Sequence, residues 1–456
     1  MRRLGERADW SRSAIDYRRS EPVTAHRSPH PRGTRQVLVF GLLLALFLLL
    51  ITRNVSPEPY GYDERDYLYA ATLGFAANWS DTPSISMAEF LGAGLKRESP
   101  KALSERIRGS HDVLFYRHFH GPLYHYFLIP VSRLGLNEQG VRRIMLLIPA
   151  ASLAIMYFGC LWLAPGPIAP GIAHLGALLA GTLFLTSHSV VWSTELAPHQ
   201  LFALCTLGCL VLLVKAIATG RRAYWYACVV TSALAFCTLE VAFVLILTIA
   251  ICGFVERDTL DADLRFAVKS LALFMATVMA VWPAAILRLS FMKAYAVMAY
   301  LALMRESPWG HTGFIETWRA RVVESPLEWA LMAIALLLGS RAKAVPRFYP
   351  VGLFVVLMLF ATLRVFTSTP RYSLTFMPAL YLLAGLTLLP SLGPLRRPAS
   401  FAVVALAVAG LYGIAWLQVA RRAHNSNPRS AAVVTYIHQN ALEDKGLLAP
   451  ILEPKP

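Results

Sequence analysis

The chain has 456 residues, 56% of them hydrophobic and 15% charged, with a mean hydropathy of +0.51. A soluble domain could not hide that much apolar surface from water, so the composition specifies a polytopic membrane protein. The formal net charge of +16 sits in the N-terminal tail, the short loops and the first long loop, where membrane-flanking charge belongs, and it forms no soluble basic face for nucleic acid.

Residues 1–35 are basic, polar and Pro-containing, and read as a disordered cytoplasmic tail. The run 36–52 is long enough to span, with no small-residue cleavage site after it, and reads as a retained helix. Further spans are expected at 141–163, 171–192, 199–218, 224–240, 241–255, 266–287, 327–340, 348–363, 373–390 and 400–418, about eleven in all, which makes the fold class all-α. The run 121–135 is apolar but short, and reads as a helix lying at the interface or dipping into it. The transmembrane domain is thus expected over 36–418, with a first outer loop at 53–140 and a later one at 288–326 in which 291–304 reads as an amphipathic helix. A short tail at 419–456 contains one further helical piece, 430–441. Cys160, Cys205, Cys209, Cys228, Cys237 and Cys252 fall in or beside apolar runs, as small core residues do, and form no disulfide or zinc pattern.

Short-loop charge sets the orientation. With the N-terminus inside, the inner loops carry Arg221-Arg222, then Arg341, Lys343 and Arg347, then Arg396-Arg397. The outer turn between 192 and 199 carries Glu195 and no Lys or Arg. Arg142 and Arg143 sit on the outer side against the trend, which marks them as candidates for a role.

Tyr62-Asp63-Glu64-Arg65-Asp66-Tyr67 places three carboxylates in four residues just past the first span. Ionisable groups beside hydrocarbon are expensive, and usually do chemistry or bind a ligand. Asp63 or Asp66, held at the membrane surface, suits the removal of a proton from an attacking hydroxyl; the same acids also suit a helix N-terminus. Asp63, Glu64 and Asp66 offer oxygens of the kind that take Mg²⁺ or Mn²⁺, a weak signal on spacing alone, so no metal is assigned. The second cluster is Arg117-His118-Phe119-His120-Gly121-Pro122-Leu123-Tyr124. Arg117, His118 and His120 supply positive charge and donors for a departing phosphate, or anchor a helix at headgroup level. His118, His120 and His125 lack a second ligand group at useful spacing for a metal. Glu195 lies in a short turn, Arg371-Tyr372 opens a span, and Glu240 marks a tight outer turn between two apolar runs.

The order of these motifs resembles that of the polyprenyl-phosphate-sugar-dependent glycosyltransferases of the GT-C superfamily. It runs through a retained helix, Asp-Glu-x-x-Tyr, a [His/Lys]-x-Pro-Leu-Tyr-Tyr-like box, an Arg before a span, an outer turn with an acid, and a late Arg-Tyr. The pattern is similar to that of bacterial relatives of protein O-mannosyltransferases and of the lipid A aminoarabinose transferase. The resemblance implies a mannosyltransferase-like enzyme that moves a hexosyl or pentosyl group, with inversion, from a polyprenyl-phosphate donor. The acceptor would be a glycan, lipid or protein at the outer face of the cytoplasmic membrane. The resemblance further implies Asp63 as general base or acceptor orienter, with Glu195 in support and Glu64, Asp66 and Tyr67 completing the first motif. His120 and Arg143, with Arg117, His118, Arg371 and Tyr372, would face donor and acceptor. Three positions depart from the pattern: Gly121 stands in the proline pair, Asp66 replaces a basic residue of the aminoarabinose transferases, and His199 stands near the second acid where an Arg is common. A lipid-linked-sugar transporter or flippase would need ionisable residues or broken helices near the midplane, where these spans are nearly charge-free. A non-catalytic envelope assembly subunit is the other alternative.

Overall fold

In a computed structural model of the chain, the described residues are 32–57, 60, 64, 67–68, 71, 75, 92, 120–164, 170–287, 292, 295, 314–341, 348–362, 370–391, 402 and 405–421. Among them there are helices and turns and no strand. The chain divides into Met1–Gly41, whose described part is the opening of the first helix, and Leu42–Pro456, which holds all that follows.

In chain order the helices are α1 (Arg32–Arg53), α2 (Leu123–Ser132), α3 (Glu138–Met145), α4 (Leu147–Leu163), α5 (Pro170–Thr186), α6 (His188–Val191), α7 (Pro198–Thr219) and α8 (Arg222–Phe236). They continue as α9 (Ala242–Val255), α10 (Arg257–Leu260), α11 (Leu264–Val281), α12 (Pro283–Leu287), α13 (Phe314–Glu324), α14 (Pro326–Arg341), α15 (Tyr349–Thr362), α16 (Pro370–Ser373), α17 (Met377–Ser391) and α18 (Ala405–Arg421). Every run expected to span carries a helix. Gln36–Arg53, Glu138–Leu163, Pro198–Thr219 and Leu264–Val281 are long and apolar enough to cross a membrane, and shorter apolar helices accompany them. The protein is an all-α, polytopic membrane protein.

Sequence punctuation sets the helix ends. Asn137 caps α3 by accepting from the Gly140 N–H at 2.9 Å, and Asp263 caps α11 by accepting from the Phe266 N–H at 2.7 Å. α7 starts on Pro198, whose missing N–H would have been unmet in any case, and stops at Gly220 with φ 65°. Two breaks within the expected runs have a visible local cause. Ser187 interrupts the run at 171–192, its Oγ accepting from the Ser189 N–H at 3.1 Å. Pro283 ends α11, because the residue before a proline is pushed out of the helical region, and Trp282 has φ −139°.

α4 packs against α5 and α7, and α17 packs against all three at the centre; α8 covers α7, α11 covers α8, and α14 and α15 flank α17. Lipid is as apolar as leucine, so such helices associate through close packing rather than through flight from water. Gly385 of α17 shows the requirement: a Cβ there would stand 2.7 Å from the Ala180 Cβ and 2.8 Å from the Gly176 carbonyl oxygen of α5. The outward faces keep large apolar side chains exposed, as on α11 with Leu264, Val268, Leu271, Met275 and Met279.

Successive helices run back and forth, so α1, α5, α8 and α11 finish at the end where α4, α7, α9 and α14 begin. At the opposite end, surface groups join neighbouring elements. Arg222 donates to the Leu260 carbonyl at 3.2 Å and pairs with Asp261 at 2.9 Å, while the Tyr349 hydroxyl donates to Glu256 at 3.2 Å. α2 has ten residues, a rise of about 15 Å against a hydrocarbon core of about 30 Å. Its Tyr124, His125, Leu128, Ile129 and Val131 are buried, so it is packed into protein.

Candidate active site

The first buried cluster is built on α3. The phase set by its Asn137 cap turns Arg142 inward and leaves Arg143 exposed. Arg142 Nε donates to Glu64 Oε1 at 2.8 Å and Nη2 donates to Oε2 at 2.6 Å, a two-pronged pair. Nη1 donates to the Ser56 carbonyl at 2.9 Å, and the guanidinium lies 5.2 Å from the centroid of the Tyr60 ring. Glu64 Oε1 also accepts the Leu196 N–H at 2.8 Å. Desolvated charges are tolerable only when their hydrogen-bonding capacity is met in this way. The Glu64 contacts tie the first long loop to the turn that carries Glu195. Burial pushes the Tyr60 phenol up, with Glu138 and Glu64 adding and Arg142 opposing, so Tyr60 stays neutral.

The second cluster begins just before α2. Gly121 lets the backbone touch the turn between α8 and α9: a Cβ at this position would lie 2.2 Å from the Cys237 carbonyl oxygen. The Leu123 N–H donates to that same oxygen at 3.0 Å. With the two turns in register, His120 Nδ1 stands 2.7 Å from Glu240 Oε2, the side chains being 10% and 6% exposed. A carboxylate has no hydrogen to give, so Nδ1 carries the proton.

Aromatic rings connect these groups. Tyr67 lies 5.8 Å from the His120 ring, 5.8 Å edge-on from Tyr124 and 6.0 Å from His125. Burial, and then the Glu64 carboxylate, push the Tyr124 phenol far up, which keeps it neutral. On its other side His120 meets His199, in the first turn of α7, edge-on at 6.4 Å. His199 in turn meets Tyr372 at 5.2 Å. Arg371 Nη2 reaches the Tyr372 hydroxyl at 3.4 Å, and Nη1 lies 3.6 Å from Glu195 Oε1. A continuous row thus runs Glu195, Arg371, Tyr372, His199, His120, Glu240. The His199 Nδ1 is buried with no hydrogen-bond partner among the described residues, an arrangement that costs about 1–3 kcal/mol until a ligand or water meets it.

A second buried network stands at the same end. The Tyr381 hydroxyl donates to Glu328 Oε1 at 2.5 Å and shares a hydrogen bond of 2.5 Å with the Ser187 hydroxyl. It fastens the starts of α14 and α17 to the break between α5 and α6.

Of the residues singled out from the sequence, Glu64, Tyr67, His120, Glu195, Arg371 and Tyr372 come together here. Asp63, Asp66, Arg117 and His118 lie outside the described residues, as do 291–304 and 430–441 apart from single positions such as 292 and 295. Arg143 is exposed, and the buried arginine is its neighbour Arg142. Glu240 and His199 enter the site without having been given a role in it. The signal for Glu240 was present: a carboxylate between two apolar runs must find a partner somewhere. As for a divalent cation, Glu64 has both oxygens engaged by Arg142 and Leu196, so it serves as an anchor and is poorly placed as a ligand. Among the described residues no three His, Cys, Asp or Glu side chains converge as a metal-binding set.

No protein-family model matches the sequence, and no curated protein matches it. Among solved structures, the crystal structure of ArnT from Cupriavidus metallidurans in the apo state is similar, at 15% identity over 82% of this chain and with a TM-score of 0.49. The match spans 63% of the ArnT chain, less than two thirds. A likeness at that level fixes neither activity nor substrate.

Proposed function

We propose that the protein is a GT-C-type membrane glycosyltransferase that passes a sugar from a polyprenyl-phosphate carrier to a hydroxyl-bearing acceptor, with inversion at the anomeric carbon. The observation that carries this reading is the gathering of Glu64, Tyr67, His120, Glu195, Arg371 and Tyr372 at one end of a charge-poor bundle. They come from well-separated stretches of the chain, in the motif order of the polyprenyl-phosphate-dependent transferases.

In the reaction the acceptor oxygen attacks the anomeric carbon on the face opposite the phosphate. The new carbon–oxygen bond forms as the bond to the phosphate oxygen breaks, and the phosphate leaves with the electron pair. The acceptor proton passes to Asp63, the residue before the anchored Glu64. Arg371 and His120 answer the charge that builds on the departing phosphate; preorganised donors of this kind are usually the largest catalytic term. Glu195 holds Arg371, and Tyr67 and Tyr372 wall the site. A carrier already charged with sugar removes the need for a nucleotide-binding loop, and the sequence has no Gly-rich strand-to-helix turn. The working face would be the outer face of the cytoplasmic membrane. The donor would be a hexosyl or pentosyl polyprenyl phosphate, and the acceptor a glycan, lipid or protein.

The test is sugar loss from a radiolabelled panel of polyprenyl-phosphate sugars incubated with purified protein, membrane extract serving as the acceptor pool. One donor is expected to turn over, with the rate falling by about a hundredfold or more in Asp63→Asn. Equal, negligible turnover by both proteins across the panel overturns the reading in favour of a transport or non-catalytic role.

A further inference from the structure

We infer that Glu240 is a positioning residue for the phosphate end of the donor, acting through His120, whose ring it fixes in tautomer and orientation. The inference rests on the transferase reading and gives that site a residue which its motif resemblance does not.

The geometry carries it. His120 and Glu240 are separated by 120 residues, yet their side chains meet at 2.7 Å with 10% and 6% exposure. The contact is prepared by the backbone: Gly121 lies against the Cys237 carbonyl, and the Leu123 N–H donates to that oxygen. The two turns therefore stand in register, and they bring the histidine ring and the carboxylate side by side. Because Glu240 only accepts, Nδ1 is committed to it, and any bond His120 makes to a ligand goes through Nε2. With a phosphate bound, the ring stands between two anionic acceptors and donates to both, the outer carboxylate fixing where the inner hydrogen bond points. Outer partners of functional histidines generally act in this way.

Among the described residues, the other groups facing His120 do not replace Glu240. Tyr67 from the first loop and His199 from α7 approach the ring at 5.8 and 6.4 Å, and His125 of α2 stands behind Tyr67. None is a carboxylate. Arg371 is removed from His120 by Tyr372 and His199, and its own carboxylate is Glu195. A simpler role for the pair is a clip that joins the start of α2 to the α8–α9 turn. Such a clip would affect stability without distinguishing a phosphate from a hydroxyl.

The test measures binding of radiolabelled undecaprenyl phosphate, and of undecaprenol as its phosphate-free control, to full-length protein in detergent. His120→Gln, Glu240→Gln and the double variant are compared with wild type, each checked for a monodisperse elution profile and melting temperature. Glu240→Gln is expected to weaken undecaprenyl phosphate binding about tenfold, the scale of a hydrogen bond to a charged group. Undecaprenol binding should stay unchanged, and the double variant should lose little beyond His120→Gln. Glu240→Asp, which keeps the charge but withdraws it by one methylene, should fall between wild type and Glu240→Gln. The inference alone fails if His120→Gln weakens phosphate binding while Glu240→Gln does not, or if the two losses add fully, or if both ligands weaken equally. Wild type that does not prefer undecaprenyl phosphate to undecaprenol overturns the transferase reading, and this inference with it.

Discussion

At one end of the bundle Arg142 and Glu64 pair with side chains 4% and 5% exposed, while at the other Arg222 and Asp261 pair with 39% and 95% exposure. Removing charges from water costs several kcal/mol per ion, of the order that good geometry only just recovers, whereas a surface pair contributes about 0–1 kcal/mol. Selection for stability has little reason to put carboxylates inside when apolar residues of the same volume would serve. The buried carboxyl groups of Glu64, Glu240 and Glu328 stand at the end where we propose that the donor binds. The exposed pairs near Gly220 mark only where helices turn around.

The comparison breaks if the buried pair proves dispensable. Arg142→Met leaves the Glu64 carboxylate inside with the Leu196 N–H as its remaining hydrogen bond from this set, and should destabilise the protein by about 3–5 kcal/mol. Thermal or denaturant unfolding in detergent measures that, and a loss near zero would remove the distinction between the two ends. Gly121→Ala sharpens it at a second point. Its Cβ must push the Cys237 carbonyl away, costing about 1–3 kcal/mol and parting His120 from Glu240, so donor turnover per folded molecule should fall along with stability. The smallest effect belongs to the opposite end: Asp261→Asn should change stability by less than about 1 kcal/mol and leave turnover as in wild type. A loss of turnover there would mean that the site is not confined to one end.

Much of the bundle was legible because hydrophobic run length and punctuating residues act locally. Pro198, Gly220, Asn137 and Asp263 each end or start a helix through groups within four residues of themselves. The charged motifs were legible for a different reason, that an ionisable residue beside hydrocarbon needs a partner or a task. What the sequence did not display is pairing across distance. Whether Arg142 or Arg143 faces inward depends on the rotation of α3, which its cap sets. Glu240 meets His120 only because Gly121 and Cys237 touch, and no local pattern encodes that contact. The break at Ser187 was not expected either: its hydroxyl accepts the Ser189 N–H and also shares a hydrogen bond with Tyr381, 194 residues away.

The bonds of Glu64 also have a bearing on how the protein is made. Its partners Arg142 and Leu196 follow it by 78 and 132 residues, which at about 5–20 residues per second puts them on the order of ten seconds behind it on the ribosome. Until Arg142 is made, the first helix is in the membrane while its adjoining carboxylate has neither of these two partners. Arg371 and Tyr372 are the last residues of the row to be made. A chain truncated before Leu196 would keep that carboxylate incompletely satisfied at the membrane surface, and is expected to be short-lived in the cell.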